Sequence, residues 1–442
     1  MKNKDITAII WNDRCFTFQW LLEKVKIWEK KLVSLQIVSG TPVIIEANFC
    51  PHAVALLLAF IKKGILIIPI TEPSEKKRAE VFSISRAKFF CRVDENQEVT
   101  FKELQDIPEK YGIYSELQEK NHPGLILFSS GSSGKMKAAV HDMLTFLSRF
   151  HQPRSRYRAI SFLRFDHIGG LSTLFYALYN ACCLVIPEDY TPENVLACIA
   201  RYDVELLPIT PSFANLIILS EAYRRYNLKS LKTLSYGTEP MPCVVLKRLQ
   251  EIFSNTRIIQ LYGLSETGIL RSKPRTAGSL WLKLGNKEEQ VRIVDGILQI
   301  KSPNTFIGYL NAPSPFTLDG WFDTGDLVEQ EGEYIKIIGR KSDIINVGGL
   351  KVYPAEVENL ISKFENVADV IVYGEKNPIL GNIVCADVCL KDVEEEKAFI
   401  KKLKIFCNQK LQSYKVPVKV KIVNKSLYTA RFKKARRTEQ LI

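Results

Sequence analysis

Between Pro42 and Thr71 the chain reads PVIIEANF, then PHAVALLLAFIKKG, then ILIIPIT. Short unbroken runs of branched apolar residues flank a longer apolar run that begins with proline and ends in Lys-Lys-Gly. That pattern is strand, helix, strand, a βαβ unit. Strands that are apolar throughout, rather than alternating, need cover on both faces, which is the condition of a parallel sheet wrapped by helices. The two lysines interrupt what would otherwise be the most apolar stretch of the chain, so it reads as helix and turn and not as a membrane span.

The rhythm recurs. RAISFLRF (158–165) leads through GGLSTLFYALYNAC to CLVIPE; PENVLACIARYDV (192–204) leads to ELLPITP; VVLKRLQEIFSN (244–255) leads to RIIQLYG. Beyond about Gly285 the runs become short and alternating, as in VRIVDGILQIKS, which predicts an antiparallel, barrel-like subdomain. Past GRKSD (339–343) a separate α/β pattern starts with the helix PAEVENLISKF, which has proline in its first turn. The expected architecture is α/β: a large N-terminal domain over 1–339, with doubly covered, mostly parallel sheets and the barrel-like subdomain, and a small mobile α/β domain over 340–442.

A chain of 442 residues is long enough for two or three domains. Its ten cysteines are scattered, with no C-x-x-C pair, and its five histidines form no ligand-like cluster, so buried free thiols are expected and not disulfides or zinc. The N-terminus shows no secretory pattern, and a cytoplasmic protein is expected. The formal charge of +13 invites nucleic acid as a partner, but the basic residues are spread along the chain apart from RFKKARR (431–437), and no nucleic-acid-binding signature accompanies them. A phosphorylated ligand or an acidic protein suits the same charge.

In an open parallel sheet, ligands sit beyond the carboxyl ends of the strands. Four segments fall there, three of them glycine-bearing: SSGSSGK, TP, YGTEP and YGLSE. The first lies in GLILFSSGSSGKMKAAVHD (124–142), where an apolar strand enters a serine–glycine loop and an apparent helix follows. Small residues let backbone N–H groups converge beside lysine, which makes an anion cradle, although the spacing is not that of a Walker loop.

In order along nearly the whole chain stand SSGSSGKMK (129–137), DHIGG (166–170), YGTEP (236–240), YGLSE (262–266), GWFDTGDL (320–327), GRKSDIINVGGLKVYPAEVE (339–358) and TARFKK (429–434). This succession resembles the adenylate-forming superfamily of acyl-CoA synthetases, luciferases and adenylation domains. The resemblance implies joining of a carboxylic acid to ATP as an acyl-adenylate with release of pyrophosphate, then thioester formation. ATP and Mg²⁺ are the implied cofactors.

Residue by residue, the resemblance implies that Ser129, Ser130, Ser132 and Ser133 donate to β- and γ-phosphate oxygens while Gly131 and Gly134 let the loop close. Lys137 matches the loop lysine, with Met136 where proline is usual and Ala138 where glycine is usual. Gly237, Thr238 and Glu239 match the segment lying along adenine, and Tyr262 the aromatic stacked on it, followed by Gly263. Ser265 matches a phosphate contact and Glu266 the magnesium carboxylate. Asp326 matches the acceptor of the ribose hydroxyls, Arg340 a contact to ribose or phosphate, and Ser342 the pivot of the small domain, where Asp or Lys is common. Gly348 and Gly349 match the loop lining the pantetheine tunnel.

The usual last motif is T-x-x-G-K. Here it is T-A-R-F-K: Thr429 and Lys433 keep the spacing, and Phe432 stands in the glycine's place. Lys433 then matches the lysine that bridges the attacking carboxylate and the α-phosphate, with Lys434 as the alternative. His167 and Thr210 are expected at the acid pocket. A fatty or aromatic acid is favoured there, with an amino acid as the alternative because Asp166 precedes His167. The acceptor is CoA or the phosphopantetheine of an acidic carrier protein. A member that binds nucleotide without turnover is a further alternative.

Overall fold

The structure is a computed structural model, and it describes residues 5–104, 112–130, 135–152, 154–276, 278–424, 427–429 and 432–434. Two seven-stranded sheets form the body. In the first, Arg257–Gln260, Thr233–Tyr236, Leu206–Ile209, Arg158–Ile160, Cys183–Ile186 and Thr7–Trp11 run parallel, and Arg14–Thr17 closes the edge antiparallel. In the second, Gly124–Ser130, Leu66–Ile70, Pro42–Glu46 and Phe89–Val93 are parallel, flanked by antiparallel strands.

The helices Pro51–Lys63 and Ile168–Tyr179 fill the space between the sheets. A single apolar cluster joins Ile9 and Leu184 of one sheet to Val43 and Ile67 of the other through Phe60 and Leu171. A helix sandwiched in this way is apolar on most of its circumference, which explains the AVALLLAF run without a membrane. No helix among the described residues is long and apolar enough to cross one. Helix Pro51–Lys63 starts on the Cys50 Sγ, which accepts from Ala53 N, and stops at Gly64. There φ is +76°, and a Cβ would meet Ser39 Oγ at 2.3 Å, so only glycine closes this turn.

The sequence pattern predicts a helix directly after the serine–glycine loop, and the structure corrects this. Met136–Asp142 is a strand, paired antiparallel with Gly124–Ser130 over its whole length, Ser129 opposite Lys137. Residues 138–140 are buried between that strand and Gly308–Tyr309, so pairing on both edges overrides the helix preference of the two alanines. The two strands that flank the serine–glycine segment are thus the arms of a hairpin, and the helix starts only at Met143, capped by Asp142.

A six-stranded antiparallel sheet from Ser272–Pro274 to Tyr334–Arg340 follows, as the alternating pattern predicts. Lys341–Asp343 is a single 3₁₀ turn, after which Ile345–Val347 opens a five-stranded sheet covered by helices Pro354–Ile361 and Glu396–Asn408. That small body has its own core, around Val352, Val370, Val388, Phe399 and Leu403. All ten cysteines are free thiols.

Candidate active site

Two clusters form where the strands of the large domain end. The first is built on the hairpin strands. Lys137 Nζ stands 5.0 Å from the centroid of the Tyr309 ring, and the Tyr309 hydroxyl donates to Glu266 Oε1 at 2.7 Å. Burial and the neighbouring carboxylate push the Tyr309 phenol well up, so it stays a donor. The preceding Ser265 gives its carbonyl to His141 Nε2 at 2.6 Å. His141 is buried and desolvation lowers it to about 4, so it is neutral and presents an N–H to that carbonyl. Ser129 lies in the same hairpin; Gly131, Ser132, Ser133 and Gly134 lie outside the described residues, as does the side chain of Ser130.

The second cluster is centred on Asp326, which is only 5 % exposed. Tyr262 donates to its Oδ2 at 2.6 Å, and Arg340 Nε is 3.2 Å from Oδ1. Desolvation raises the Asp326 carboxyl, against the pull of Arg340 and the Tyr262 hydrogen bond. Gly263 sits where the strands Tyr262–Leu264 and Gly268–Leu270 pair, and a Cβ there would meet the Gly268 carbonyl at 2.7 Å.

The YGTEP segment is strained. Thr238 has φ +77°, a conformation that a β-branched residue rarely takes, and its buried Oγ1 has no hydrogen-bond partner. Gly237 has no room for a side chain, since a Cβ would meet the Leu261 carbonyl at 2.6 Å. Strain together with an orphaned hydroxyl marks a place where the backbone is held for something other than stability. Glu239 turns the other way: its Oε1 accepts from Ser212 N at 2.9 Å and its Oε2 from Lys434 N at 3.2 Å.

That last bond belongs to the seam between the domains. His167 caps the helix Ile168–Tyr179, its Nδ1 accepting from Gly169 N, and Thr210 caps Pro211–Ser220. Against these two caps lie Phe432 and Lys433 of the C-terminal body. Thr210 Oγ1 donates to the Phe432 carbonyl at 2.7 Å, and Lys433 and His167 line one small cavity. Lys434 is held differently. Its Nζ donates to the Val370 carbonyl at 2.7 Å and stands 3.6 Å from Glu358 Oε2 and 3.5 Å from Asp369 Oδ1. A larger cavity of about 230 Å³ opens on the same seam beside Glu239 and Lys434, away from both clusters.

The structure thus gathers Lys137, Glu266 and Ser265 in one group, Tyr262, Asp326 and Arg340 in another, and His167, Thr210 and Lys433 at the seam. Ser342 lies in the 3₁₀ turn joining the two bodies, its Oγ 3.1 Å from Asp343 Oδ1. Gly348 and Gly349 are not brought to these groups. They form the exposed turn between Ile345–Val347 and Leu350–Val352, where Gly348 N donates to the Leu380 carbonyl. His141 and Tyr309 were not expected at the site. The only trace of His141 in the sequence is a histidine inside the apolar run AAVHD; Tyr309 leaves none.

Two mostly parallel sheets around central helices, an antiparallel sheet and a small C-terminal body make this the fold of the adenylate-forming enzymes. The chain belongs to the AMP-binding enzyme family: the family's profile matches residues 1–310, and that of the AMP-binding enzyme C-terminal domain matches 356–433. It is 24% identical to the 2-succinylbenzoate–CoA ligase of Listeria monocytogenes, across 96% of this chain and 94% of that one. Among solved structures it resembles ATP-bound MatB from Rhodopseudomonas palustris, with TM-score 0.82 and 19% identity, covering 98% of this chain and 94% of that one. It also resembles o-succinylbenzoate CoA synthetase from Bacillus subtilis in complex with the acyl-adenylate OSB-AMP, with TM-score 0.79 and 20% identity, covering 99% and 95%.

Proposed function

We propose that the chain is an AMP-forming acid–thiol ligase. A carboxylate oxygen of the acid attacks the α-phosphorus of ATP, and the bond to pyrophosphate breaks. A thiolate, of CoA or of a phosphopantetheine arm, then attacks the acyl carbon and AMP leaves. The observation that carries this reading is the convergence at His167, where Lys433 from the C-terminal segment lines the same cavity as the expected acid-pocket histidine. A cation there offsets the negative charge that builds as two anions react.

The other residues take roles that follow from their surroundings. Asp326, buried between Tyr262 and Arg340, is an acceptor for the ribose diol. The strained Gly237–Glu239 segment offers its backbone and the Thr238 hydroxyl to adenine. Ser129 and Lys137 face the triphosphate with the loop that follows Ser130.

Glu266 suits Mg²⁺. Tyr309 holds one carboxylate oxygen, and no cluster of three metal-ligating side chains exists among the described residues. A single carboxylate is what this ion asks of a protein when phosphates supply the remaining ligands. When bound it neutralises phosphate charge. Between the half-reactions the bodies 1–339 and 340–442 turn about Ser342, which brings Gly348 and Gly349 from their exposed turn to the thiol's path.

The test is exchange of labelled pyrophosphate into ATP with fatty, aryl and amino acids in turn. Exchange that depends on one class of acid is the expected result. Tight ATP binding without exchange for any acid would instead mark a nucleotide binder without turnover.

A further inference from the structure

Phe432 stands where the motif ordinarily has glycine, and its conformation is one that glycine favours: φ is +50°. Something must hold a phenylalanine there. Its carbonyl is fixed by Thr210 Oγ1, and its ring leaves the tail to enter the large domain. The ring centroid lies 5.1 Å from that of Phe213 at 70°, an edge-to-face contact, and 5.5 Å from that of Phe162. Phe162 and Phe213 touch each other at 4.3 Å, and Tyr190 closes on Phe162 at 5.8 Å. The chain's own phenyl ring therefore fills an aromatic slot.

That slot is on the acid side of the proposed reaction. Phe432 and Lys433 share their cavity with His167, and the cavity left beside the ring measures only about 10 Å³, hardly one water. No second ring fits next to the seated one. The residue that fills the slot is moreover the immediate neighbour of the lysine proposed to meet the substrate's carboxylate. A ring on a short stem, one residue from the carboxylate-binding lysine, is the shape of an aryl or arylalkyl acid.

We propose that Phe432 is a placeholder for the substrate's ring: its side chain occupies the aromatic slot of the acid site, and a ring-bearing carboxylic acid must displace it to bind. The location of the acid site rests on the ligase reading above. The consequence is competitive. The apparent affinity for the acid is lowered by the fraction of molecules whose slot is free, so removing the ring tightens binding of those acids that use the slot. A linear acid, which has no ring to place between Phe162 and Phe213 and so does not need the slot, gains less.

The experiment is calorimetric titration of the full chain with phenylacetate and with hexanoate, for the native protein, Phe432→Ala and Phe432→Leu. Phenylacetate is expected to bind Phe432→Ala about tenfold more tightly than the native protein and Phe432→Leu by an intermediate factor, with hexanoate changing about threefold or less. Equal or weaker phenylacetate binding in both variants overturns the proposal. So does an equal gain for hexanoate, or an absence of phenylacetate binding in all three proteins. Pyrophosphate exchange, run separately on the native chain, keeps the two readings apart. Tighter phenylacetate binding without exchange upholds the slot and sinks the ligase, whereas exchange with unchanged binding does the reverse.

Discussion

Lys434 Nζ lies 3.5 Å from Asp369 Oδ1, within the C-terminal body, and this pairing turns its ammonium group away from the His167 cavity that Lys433 lines. With Glu358 on its other side, Lys434 is spent on holding the tail to its own domain. Lys433, one residue earlier, is left on the His167 side. The motif spacing favours Lys433 and keeps Lys434 as the alternative, because a K-K pair by itself carries no information about which side each takes.

Their replacements should separate. Lys433→Ala is expected to cut pyrophosphate exchange at least a hundredfold with ATP affinity unchanged, since it removes charge from the reacting centre only. Lys434→Ala leaves two buried carboxylates without their cation and should destabilise the C-terminal body by about 3 kcal/mol. Urea unfolding of each variant reads the second effect and exchange the first. A Lys434 variant of native stability that has lost exchange would reverse the assignment.

Glu266 and Tyr309 make a similar pair of tests. Glu266→Gln should raise the Mg²⁺ concentration for half-maximal exchange by about tenfold or more, because a neutral amide is a poor ligand for a hard cation. Tyr309→Phe keeps the carboxylate and loses only one orienting hydrogen bond, worth about 1 kcal/mol, so its shift should be several-fold smaller. Identical magnesium titrations for native and Glu266→Gln would make this carboxylate structural.

Tyr262→Phe removes the donor to Asp326 Oδ2 and leaves a buried carboxylate oxygen unsatisfied. The cost of about 1–2 kcal/mol should appear as roughly tenfold weaker ATP binding with the magnesium dependence retained. Calorimetry with ATP decides it, and an unchanged affinity would place the ribose elsewhere.

How far the sequence carried can be judged from particular residues. The βαβ units were legible because continuous apolar strands and proline-started helices are local signals, and so was the placing of YGTEP and YGLSE just beyond strands Thr233–Tyr236 and Arg257–Gln260. Strand Met136–Asp142 was not legible. Its fate depends on two neighbours, one of them Gly308–Tyr309, far along the chain. The same holds for Tyr309 against Glu266 and for the ring of Phe432 against Phe162. A single motif shows neither partner, and only the folded seam brings them together.

His141 supplies a prediction in pH. Its Nε2–H donates to the Ser265 carbonyl in either protonation state, but burial favours the neutral ring and lowers its folded value to about 4 from an ordinary 6.5. Between those values the unfolded chain binds the proton and the folded chain does not, so stability is full above pH 6.5 and is lost as the pH falls toward 4. The whole span is worth about 3 kcal/mol. His141→Gln keeps an N–H donor but cannot titrate; it should flatten that acid limb while lowering stability at pH 7.5 by about 1 kcal/mol through imperfect packing. The measurement is the urea midpoint from pH 7.5 to 4.5 for both proteins. Parallel curves would mean that other groups govern acid unfolding, and a steeper native curve would tie it to the histidine beneath the YGLSE segment.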